Sequence, residues 1–206
     1  NYAREVMELH TLSVNGGYTQ RDVMELARAL TGWTVKQHFW RGQFTFDAAQ
    51  HDDQPKTVLG LTLVPEGQRE AERALDLLAA HPATAGFIAA KLARRFLGEA
   101  APASIVDKAR RAFESTQGDI QAVLRPILLD GLLGGGMPAA PKFKRPVNFL
   151  VSALRQLDAD TDGGPALHEY LAHMGQAYFG WPTPDGYPDH DAPWAGNLLT
   201  IWQFAL

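Results

Sequence analysis

The stretch TQRDVMELARALTGWT, residues 19–34, decides the fold class because it contains a helix start, a helical apolar pattern and a helix end. Thr19 and Asp22 resemble a capping box with a shorter acid, in which each side chain accepts a hydrogen bond from the backbone N–H of the other residue. Apolar residues then recur at helical spacing up to Gly32: Val23, Met24, Leu26, Ala27 and Leu30. The pattern predicts a helix of about three turns.

Similar helical patterns cover most of the remaining chain. We predict further helices over residues 2–12, 66–80, 82–97, 102–116, 119–129, 146–157, 166–178 and 195–206. Pro126 is expected to kink or end the helix that contains it, because proline has no N–H to donate. The glycines and prolines of residues 131–141 predict a flexible loop. The sequence therefore predicts a mainly α, multi-helix single domain over residues 1–206.

One segment departs from the helical pattern. Phe44 and Phe46 flank Thr45 in the two-residue alternation of a strand, and residues 57–63 form a second β-prone run. The polar stretch 47–55 joins the two runs. We therefore predict one small β-hairpin within residues 33–63.

Composition excludes several classes of function. The chain has 206 residues, 46% of them apolar, which is enough for one continuous core. Its 19 basic and 23 acidic residues give a net charge of −4 without a dense Lys/Arg run, which argues against a nucleic-acid partner. The absence of cysteine excludes disulfides, thiolate zinc sites and cysteine nucleophiles. No apolar stretch approaches the roughly 20 residues of a membrane span.

A first candidate site lies in the N-terminal third of the chain. The candidate catalytic residues are Glu5, Glu8, His10, Asp22 and His51. If the first two helices pack antiparallel across the Gly16-Gly17 turn, their carboxylates and the histidines converge, which suits acid/base catalysis or a hard-metal site. The alternative is structural: acids near helix starts balance the macrodipole, and Glu–Arg pairs stabilise exposed helices.

A second candidate site has the spacing of a calcium loop. The candidate metal ligands are Asp158, Asp160, Asp162 and Glu169, with Gly163 at the position of the sharp turn. Pro165 departs from this pattern because it removes a backbone N–H that paired calcium loops use. The sequence therefore leaves two interpretations open, a calcium-binding loop and a polar linker with proline at the first helical position.

A third candidate is the proline-rich loop 180–194. Its candidate ligand-binding residues are Trp181, Asp185, Tyr187 and Trp194. Rigid aromatic rings beside carboxylates can stack on a sugar ring or hold a proline-rich peptide. The same residues can also fasten a long loop to a helical core without any ligand.

Several motifs resemble the bacterial domain of unknown function 1800 family, and together they extend over nearly the whole chain. They include NYARE (residues 1–5), MELHTL (7–12), GGYT (16–19), LARALTGWT (26–34), HPATA (81–85) and PDGY (184–187). Members of that family are usually longer, so the resemblance implies that this chain is the C-terminal part of a longer protein. The start at Asn1, inside a helical pattern and without methionine, agrees with a fragment or a processed product.

The resemblance also implies a cellular setting and a partner. Many family members look like exported bacterial proteins, which implies a periplasmic or cell-envelope location and a targeting segment upstream of Asn1. Their genes often accompany a second uncharacterised family, numbered 1501, that resembles exported sulfatases and phosphatases. The resemblance offers no agreed catalytic residues.

Two functional hypotheses follow from the sequence. The first is a noncatalytic binding or scaffold module of an exported bacterial protein. The second is a hydrolase or transferase that uses the carboxylate and histidine cluster around Glu5, Glu8, His10 and His51.

Overall fold

The computed structural model describes residues 1–36, 42–134 and 143–205, without the side chains of Asn197 and Ala205. Within these ranges the chain is mainly α, as predicted, with nine α-helices and two small antiparallel sheets. The described residues divide into two compact units. The first comprises Asn1–Phe96 and residues 101–134, and the second comprises Leu97–Ala100 and residues 143–205. The prediction of a single domain stays a prediction.

The first unit begins with two helical segments joined by a glycine-containing turn. Helix α1 (Tyr2–Glu5) continues into a wider π-helical segment, Val6–Thr11, and α2 spans Gln20–Ala29. The capping box is confirmed: the Thr19 N–H donates to Asp22 Oδ2 at 2.8 Å, and the Asp22 N–H donates to Thr19 Oγ1 at 3.2 Å. Helix α2 therefore begins where its sequence predicts.

The small β region predicted within residues 33–63 is confirmed, but its described strands form two antiparallel pairs, the first and second hairpins, instead of one. Strand β1 (Trp33–Val35) pairs with β2 (Phe44–Phe46), and β3 (Lys56–Val58) pairs with β4 (Leu61–Leu63). Between β3 and β4, Leu59 and Gly60 both have positive φ angles, 48° and 80°, as a two-residue hairpin turn requires. Leucine adopts this conformation uncommonly. Because leucine is not a usual turn residue, the sequence of residues 57–63 indicates one continuous strand and not a turn at Leu59 and Gly60.

Four helices complete the first unit. Helices α3 (Gln68–Ala80), α4 (Pro82–Leu97), α5 (Ala103–Ser115) and α6 (Ile120–Pro126) lie close to their predicted positions. Helix α6 ends at Pro126, as expected, and the chain continues as a π-helical segment, Ile127–Leu132. That segment occupies the start of the predicted loop 131–141, and residues 135–141 of the loop lie outside the described residues.

The apolar core of the first unit fixes the polar loop that precedes β3. Side chains from the N-terminal helices, the second hairpin and α3 are buried together, among them Met7, Leu12, Leu26, Val58, Leu63, Ala71, Ala74 and Leu78. Both β3 and α3 pack against α2. The core therefore holds residues 47–59 beside the polar face of α2 and the start of α3.

The second unit contains α7 (Pro146–Gln156), α8 (Pro165–His173), a 3-10 segment (Ala192–Asn197) and α9 (Leu198–Ala205). Its core comprises Leu150, Leu171, Met174 and Ile201. Helix α8 ends five residues before its predicted end, and Gly175 follows with a φ of 82° that a glycine adopts without strain. No helix in the described part of the chain is long and apolar enough to cross a membrane.

The capping box yields a stability prediction. Thr19→Ala removes the side-chain acceptor for the Asp22 N–H and should lower the free energy of unfolding by about 1 kcal/mol. Urea denaturation measures the change. Arg21→Ala, at an exposed position of the same helix turn, is the control and should change it by less than about 0.5 kcal/mol. Equal effects of the two substitutions would contradict the prediction.

Candidate functional site

Three ionisable side chains of the first unit, those of His51, Lys56 and Glu70, are almost completely buried. Their exposed fractions are 1%, 0% and 0%. His51 lies in the loop before β3, Lys56 begins β3, and Glu70 lies in the first turn of α3. We call these three residues the buried ion cluster.

Glu70 accepts four hydrogen bonds from within the protein. Its Oε1 accepts hydrogen bonds from His51 Nε2 at 3.0 Å, the Glu66 N–H at 3.0 Å and the Gly67 N–H at 3.2 Å. Its Oε2 accepts from Lys56 Nζ at 2.5 Å. A carboxylate offers about four acceptor positions. With four internal donors and no exposed side-chain surface, Glu70 is not accessible to a substrate in this conformation.

Lys56 and His51 are equally committed to internal partners. The Lys56 ammonium uses its three N–H groups for three internal acceptors. It donates to Glu70, to the Gln54 carbonyl at 2.9 Å and to the Asp52 carbonyl. His51 Nδ1 lies 2.8 Å from the Thr31 carbonyl, while its Nε2 faces Glu70. Both of these partners are acceptors, so the ring satisfies them together only as a doubly protonated imidazolium.

The surroundings of the buried ion cluster shift two pKa values. Burial disfavours the imidazolium of His51, but the hydrogen bonds to Glu70 and to the Thr31 carbonyl outweigh it, so the pKa of His51 is raised. Burial likewise disfavours the Glu70 carboxylate, but the hydrogen bonds from Lys56 and His51 outweigh it, so the pKa of Glu70 is lowered. Both shifts favour the charged forms, which the hydrogen-bond geometry also requires.

The polar face of α2 holds the second hairpin through three acidic or basic side chains one turn apart. Asp22 Oδ1 accepts from the Leu59 N–H at 2.7 Å, and Glu25 Oε2 accepts from the Thr57 N–H at 3.1 Å. Arg28 donates from Nε to Asp52 Oδ2 at 2.7 Å and pairs with Glu25 Oε2 at 3.0 Å. The Arg28 guanidinium holds the pKa of Asp52 well below its usual range. The acidic groups of this face thus bind backbone N–H groups of the second hairpin, and Arg28 binds the carboxylates of Asp52 and Glu25.

The sequence-predicted catalytic residues separate into two groups. Asp22 and His51 belong to the network that joins α2 to the second hairpin. Glu8 instead pairs with Arg4 at 3.6 Å, and burial together with the Glu8 carboxylate raises the pKa of Tyr18. His10 is exposed, and Glu5 is partly buried. Among the described residues no hydrogen bond or ion pair joins Glu5, Glu8 or His10 to His51.

Glu70 is the residue of this network that sequence reasoning missed. The sequence predicts that this helix begins near residue 66, and its pattern does not distinguish Glu70 from the other acidic residues of the helix. In the structure Gly67 precedes the first turn with a φ of 62°, and its N–H donates to Glu70 Oε1. A glycine three residues before a glutamate at a helix start is the signal that would have indicated a cap.

The acidic loop of the second unit exposes all four predicted calcium ligands, Asp158, Asp160, Asp162 and Glu169. Asp162 Oδ1 accepts from the Gly164 N–H at 2.8 Å. Within the described ranges no three His, Asp or Glu side chains are grouped so that they could hold one metal ion. Calcium binding stays a prediction.

The aromatic loop is fastened by its own polar groups. Trp181 Nε1 donates to Asp185 Oδ1 at 3.1 Å, the Tyr187 hydroxyl donates to the Ala177 carbonyl at 2.7 Å, and Trp194 Nε1 donates to the Pro188 carbonyl at 3.1 Å. The Tyr187 ring contacts those of Trp181 and Trp194, with centroids 5.0 and 5.8 Å apart. Of the four predicted ligand-binding residues, Trp194 is buried, whereas Trp181 and Asp185 are exposed.

Two further aromatic residues, which the sequence did not single out, extend the exposed surface of this loop. The exposed fractions of Tyr178, Phe179 and Trp181 are 58%, 95% and 37%. A cavity of about 220 Å³ lies beside them and is lined in part by Tyr178, Phe179 and Tyr187. We call Tyr178, Phe179, Trp181 and Tyr187 the aromatic platform.

A comparison with protein-family models matches the whole chain, residues 1–206, to the family described as "Protein of unknown function (DUF1800)". The chain belongs to the DUF1800 family. This match confirms the resemblance found in the sequence. Searches of curated proteins and of solved structures gave no significant match for this DUF1800 chain.

The buried ion cluster of this DUF1800 chain predicts a charge-dependent loss of stability. Glu70→Gln preserves shape but leaves the buried Lys56 ammonium without a counter-charge, which should lower the free energy of unfolding by about 3 kcal/mol. Glu72→Gln on the same helix is the matched control, because its carboxylate is exposed and accepts a hydrogen bond from the neutral Gln68 side chain. Urea denaturation at pH 7 checks both. A loss below about 1 kcal/mol for Glu70→Gln would contradict the assigned ionisation.

His51 predicts the pH dependence of stability. A group whose pKa is raised on folding contributes stability that is fully present below its unfolded pKa, about 6.5 for histidine, and that is lost as the pH rises through the folded pKa. The free energy of unfolding of the wild type should therefore fall as the pH rises above about 6.5. His51→Gln should be less stable at pH 6 and should lose this slope. If the variant keeps the same dependence of the free energy of unfolding on pH, a group other than His51 causes that dependence.

The calcium prediction is tested by calorimetry and thermal unfolding. If the loop binds Ca²⁺, the free energy of unfolding should rise by about 2.7 kcal/mol at a free calcium concentration about 100 times Kd. Asp160→Asn combined with Glu169→Gln should abolish most of that gain. A polar linker would respond neither to calcium at millimolar concentration nor to these substitutions.

Proposed function

We propose that this chain is a noncatalytic binding module of an exported bacterial protein, with the first unit as scaffold and the aromatic platform as the binding surface. The exported partner we favour is the sulfatase- or phosphatase-like protein of the neighbouring unknown-function family.

The observation that carries this proposal is the combination of fixed and exposed rings in the aromatic platform. Hydrogen bonds hold the Trp181 and Tyr187 side chains, while Phe179 is 95% exposed. An ordered aromatic surface loses little conformational entropy on binding, and aromatic residues are enriched among the residues that dominate binding energy. Water is a poor environment for a ring as exposed as that of Phe179, so covering it stabilises a complex.

The ionisable groups of the first unit support a scaffold role. The buried ion cluster uses its donors and acceptors internally, and Asp22 and Glu25 bind backbone N–H groups of the second hairpin. A general base needs a lone pair within reach of the substrate proton. The groups with the clearest pKa shifts in this unit are instead engaged in holding α2, the second hairpin and α3 together.

Two purified proteins test the proposal. The full-length protein is mixed with its sulfatase- or phosphatase-like neighbour, and Kd is measured by isothermal titration calorimetry. Phe179→Ala should weaken binding about tenfold, which is the usual effect of removing an aromatic anchor. Tyr2→Ala is the control, because Tyr2 is a 60% exposed aromatic residue of the first unit.

Three results would count against this function. The first is no binding of the wild type at micromolar concentrations. The second is equal weakening by Phe179→Ala and Tyr2→Ala. The third is turnover of a substrate that Glu8→Gln or His10→Ala abolishes, which would establish the hydrolase or transferase alternative.

A further inference from the structure

The charges of this chain are divided unevenly along its length. Residues 156–206 contain seven of the 23 acidic residues and none of the 19 Lys and Arg residues. The seven are Asp158, Asp160, Asp162, Glu169, Asp185, Asp189 and Asp191. In the described residues, Asp189 is the only one of them that forms an ion pair, with Arg145 at 3.0 Å. The C-terminal segment therefore carries a strong uncompensated negative charge.

Part of this charge lies at an apolar groove between α7 and α8. The groove has a volume of about 460 Å³, within the range of ligand pockets. Its walls are apolar side chains of the two helices: Val147, Leu150, Val151, Leu154, Leu167 and Leu171. Asp162 and His168 also line it, and Lys and Arg are not among its lining residues.

The spacing of the groove residues suggests what shape fits. On α7 they lie at positions i, i+3, i+4 and i+7, which is one stripe of the helix. From Val147 to Leu154 the stripe is about 10 Å long, at 1.5 Å per residue. This length matches two turns of a second helix. A helix laid in the groove would bury two or three side chains at i, i+4 and i+7.

We propose that the groove between α7 and α8 binds a basic amphipathic helix of a partner protein, with apolar side chains against α7 and α8 and Lys or Arg side chains beside Asp160 and Asp162. The inference rests on the proposed function, which it deepens by naming the partner's chemistry.

Charge complementarity decides this choice of occupant. Asp158, Asp160 and Asp162 follow directly after α7, whose C-terminal carbonyls add a partial negative charge. Asp162 lines the groove itself, and Asp160 lies two residues before it in the same loop. An acidic or neutral helix would leave these charges unpaired or repelled, whereas a basic helix pairs them at the rim. Basic side chains also have long apolar stems that can cover Val151, which is 45% exposed.

A designed peptide pair tests the groove directly. The probe is a fluorescein-labelled 14-residue helix with Leu at i, i+3, i+4 and i+7 and Lys at its polar positions, and its binding to the full chain is followed by anisotropy. Two control peptides keep the same length: one replaces every Lys by Glu, and the other replaces every Leu by Ser. Measurements are made in EDTA, so that calcium cannot occupy the carboxylates. The Lys/Leu peptide should bind about tenfold more tightly than either control.

Matched variants separate the groove from general acidity. Asp160→Asn with Asp162→Asn should weaken binding about tenfold at low salt and less at high salt, because salt screens exposed charges. The amide oxygen that Asp162→Asn introduces can still accept from the Gly164 N–H. Asp53→Asn with Asp76→Asn removes the same charge from exposed positions of the first unit and should change Kd less than about twofold. Val151→Gln should weaken binding about threefold by removing apolar contact.

The outcomes distinguish this inference from the proposed function. Two results would overturn the proposal that the groove binds a basic helix. One is equal binding of the Lys/Leu and Glu/Leu peptides, and the other is equal weakening by the two double Asp→Asn variants. If the sulfatase- or phosphatase-like protein binds through Phe179 while the peptide does not bind, the groove is wrong and the proposed function stands. If the peptide binds in the groove while that protein does not bind at all, the basic-helix inference stands and the named partner is wrong.

Discussion

The carboxylate of Glu70 is the group on which the first unit depends. It is fully buried, and it receives hydrogen bonds from a lysine ammonium, a histidine ring and two backbone N–H groups of its own helix start. A buried charge costs several kcal/mol unless it is paired and hydrogen-bonded, so the position of each partner matters. His51 in turn binds the Thr31 carbonyl just beyond α2. One carboxylate thus ties the end of α2, the second hairpin and the start of α3 into one arrangement.

This arrangement explains why so many ionisable residues of the N-terminal third look catalytic in sequence. Polar groups that hold irregular backbone must be of the same types as those that transfer protons, because both tasks need strong donors and acceptors. The loop 47–55 has few ladder hydrogen bonds of its own. Thr31 Oγ1 accepts from the Asp52 N–H at 2.9 Å, and Arg28 holds the Asp52 side chain. The loop is therefore held by Arg28 of α2 and by Thr31 just beyond it, and the network has a structural explanation without any substrate.

The sequence predicted the helices well because each carries its own local signals. Thr19 with Asp22, Asp119 and Pro146 mark starts that the structure confirms. Pairing of strands was less predictable, since Leu59 adopts a positive φ that its residue type disfavours. Which ionisable groups would meet was less predictable still. Glu70 reaches His51 and Lys56 across 19 and 14 residues of chain. Such contacts are set by the packing of α3 on α2, which no local pattern encodes.

The second unit combines unpaired acidic side chains with large exposed apolar side chains, and this combination is the strongest physical argument for where binding occurs. In the first unit, by comparison, the buried carboxylate of Glu70 is paired with Lys56 and His51. In the second, Asp158, Asp160 and Glu169 are exposed and have no ion pair in the described residues, while Phe179, Leu199 and Trp202 are 95%, 67% and 64% exposed. Unpaired like charges and exposed large apolar side chains both raise the free energy of the isolated unit. A partner that is basic and apolar lowers both contributions at once, and neither a purely charged nor a purely apolar partner does.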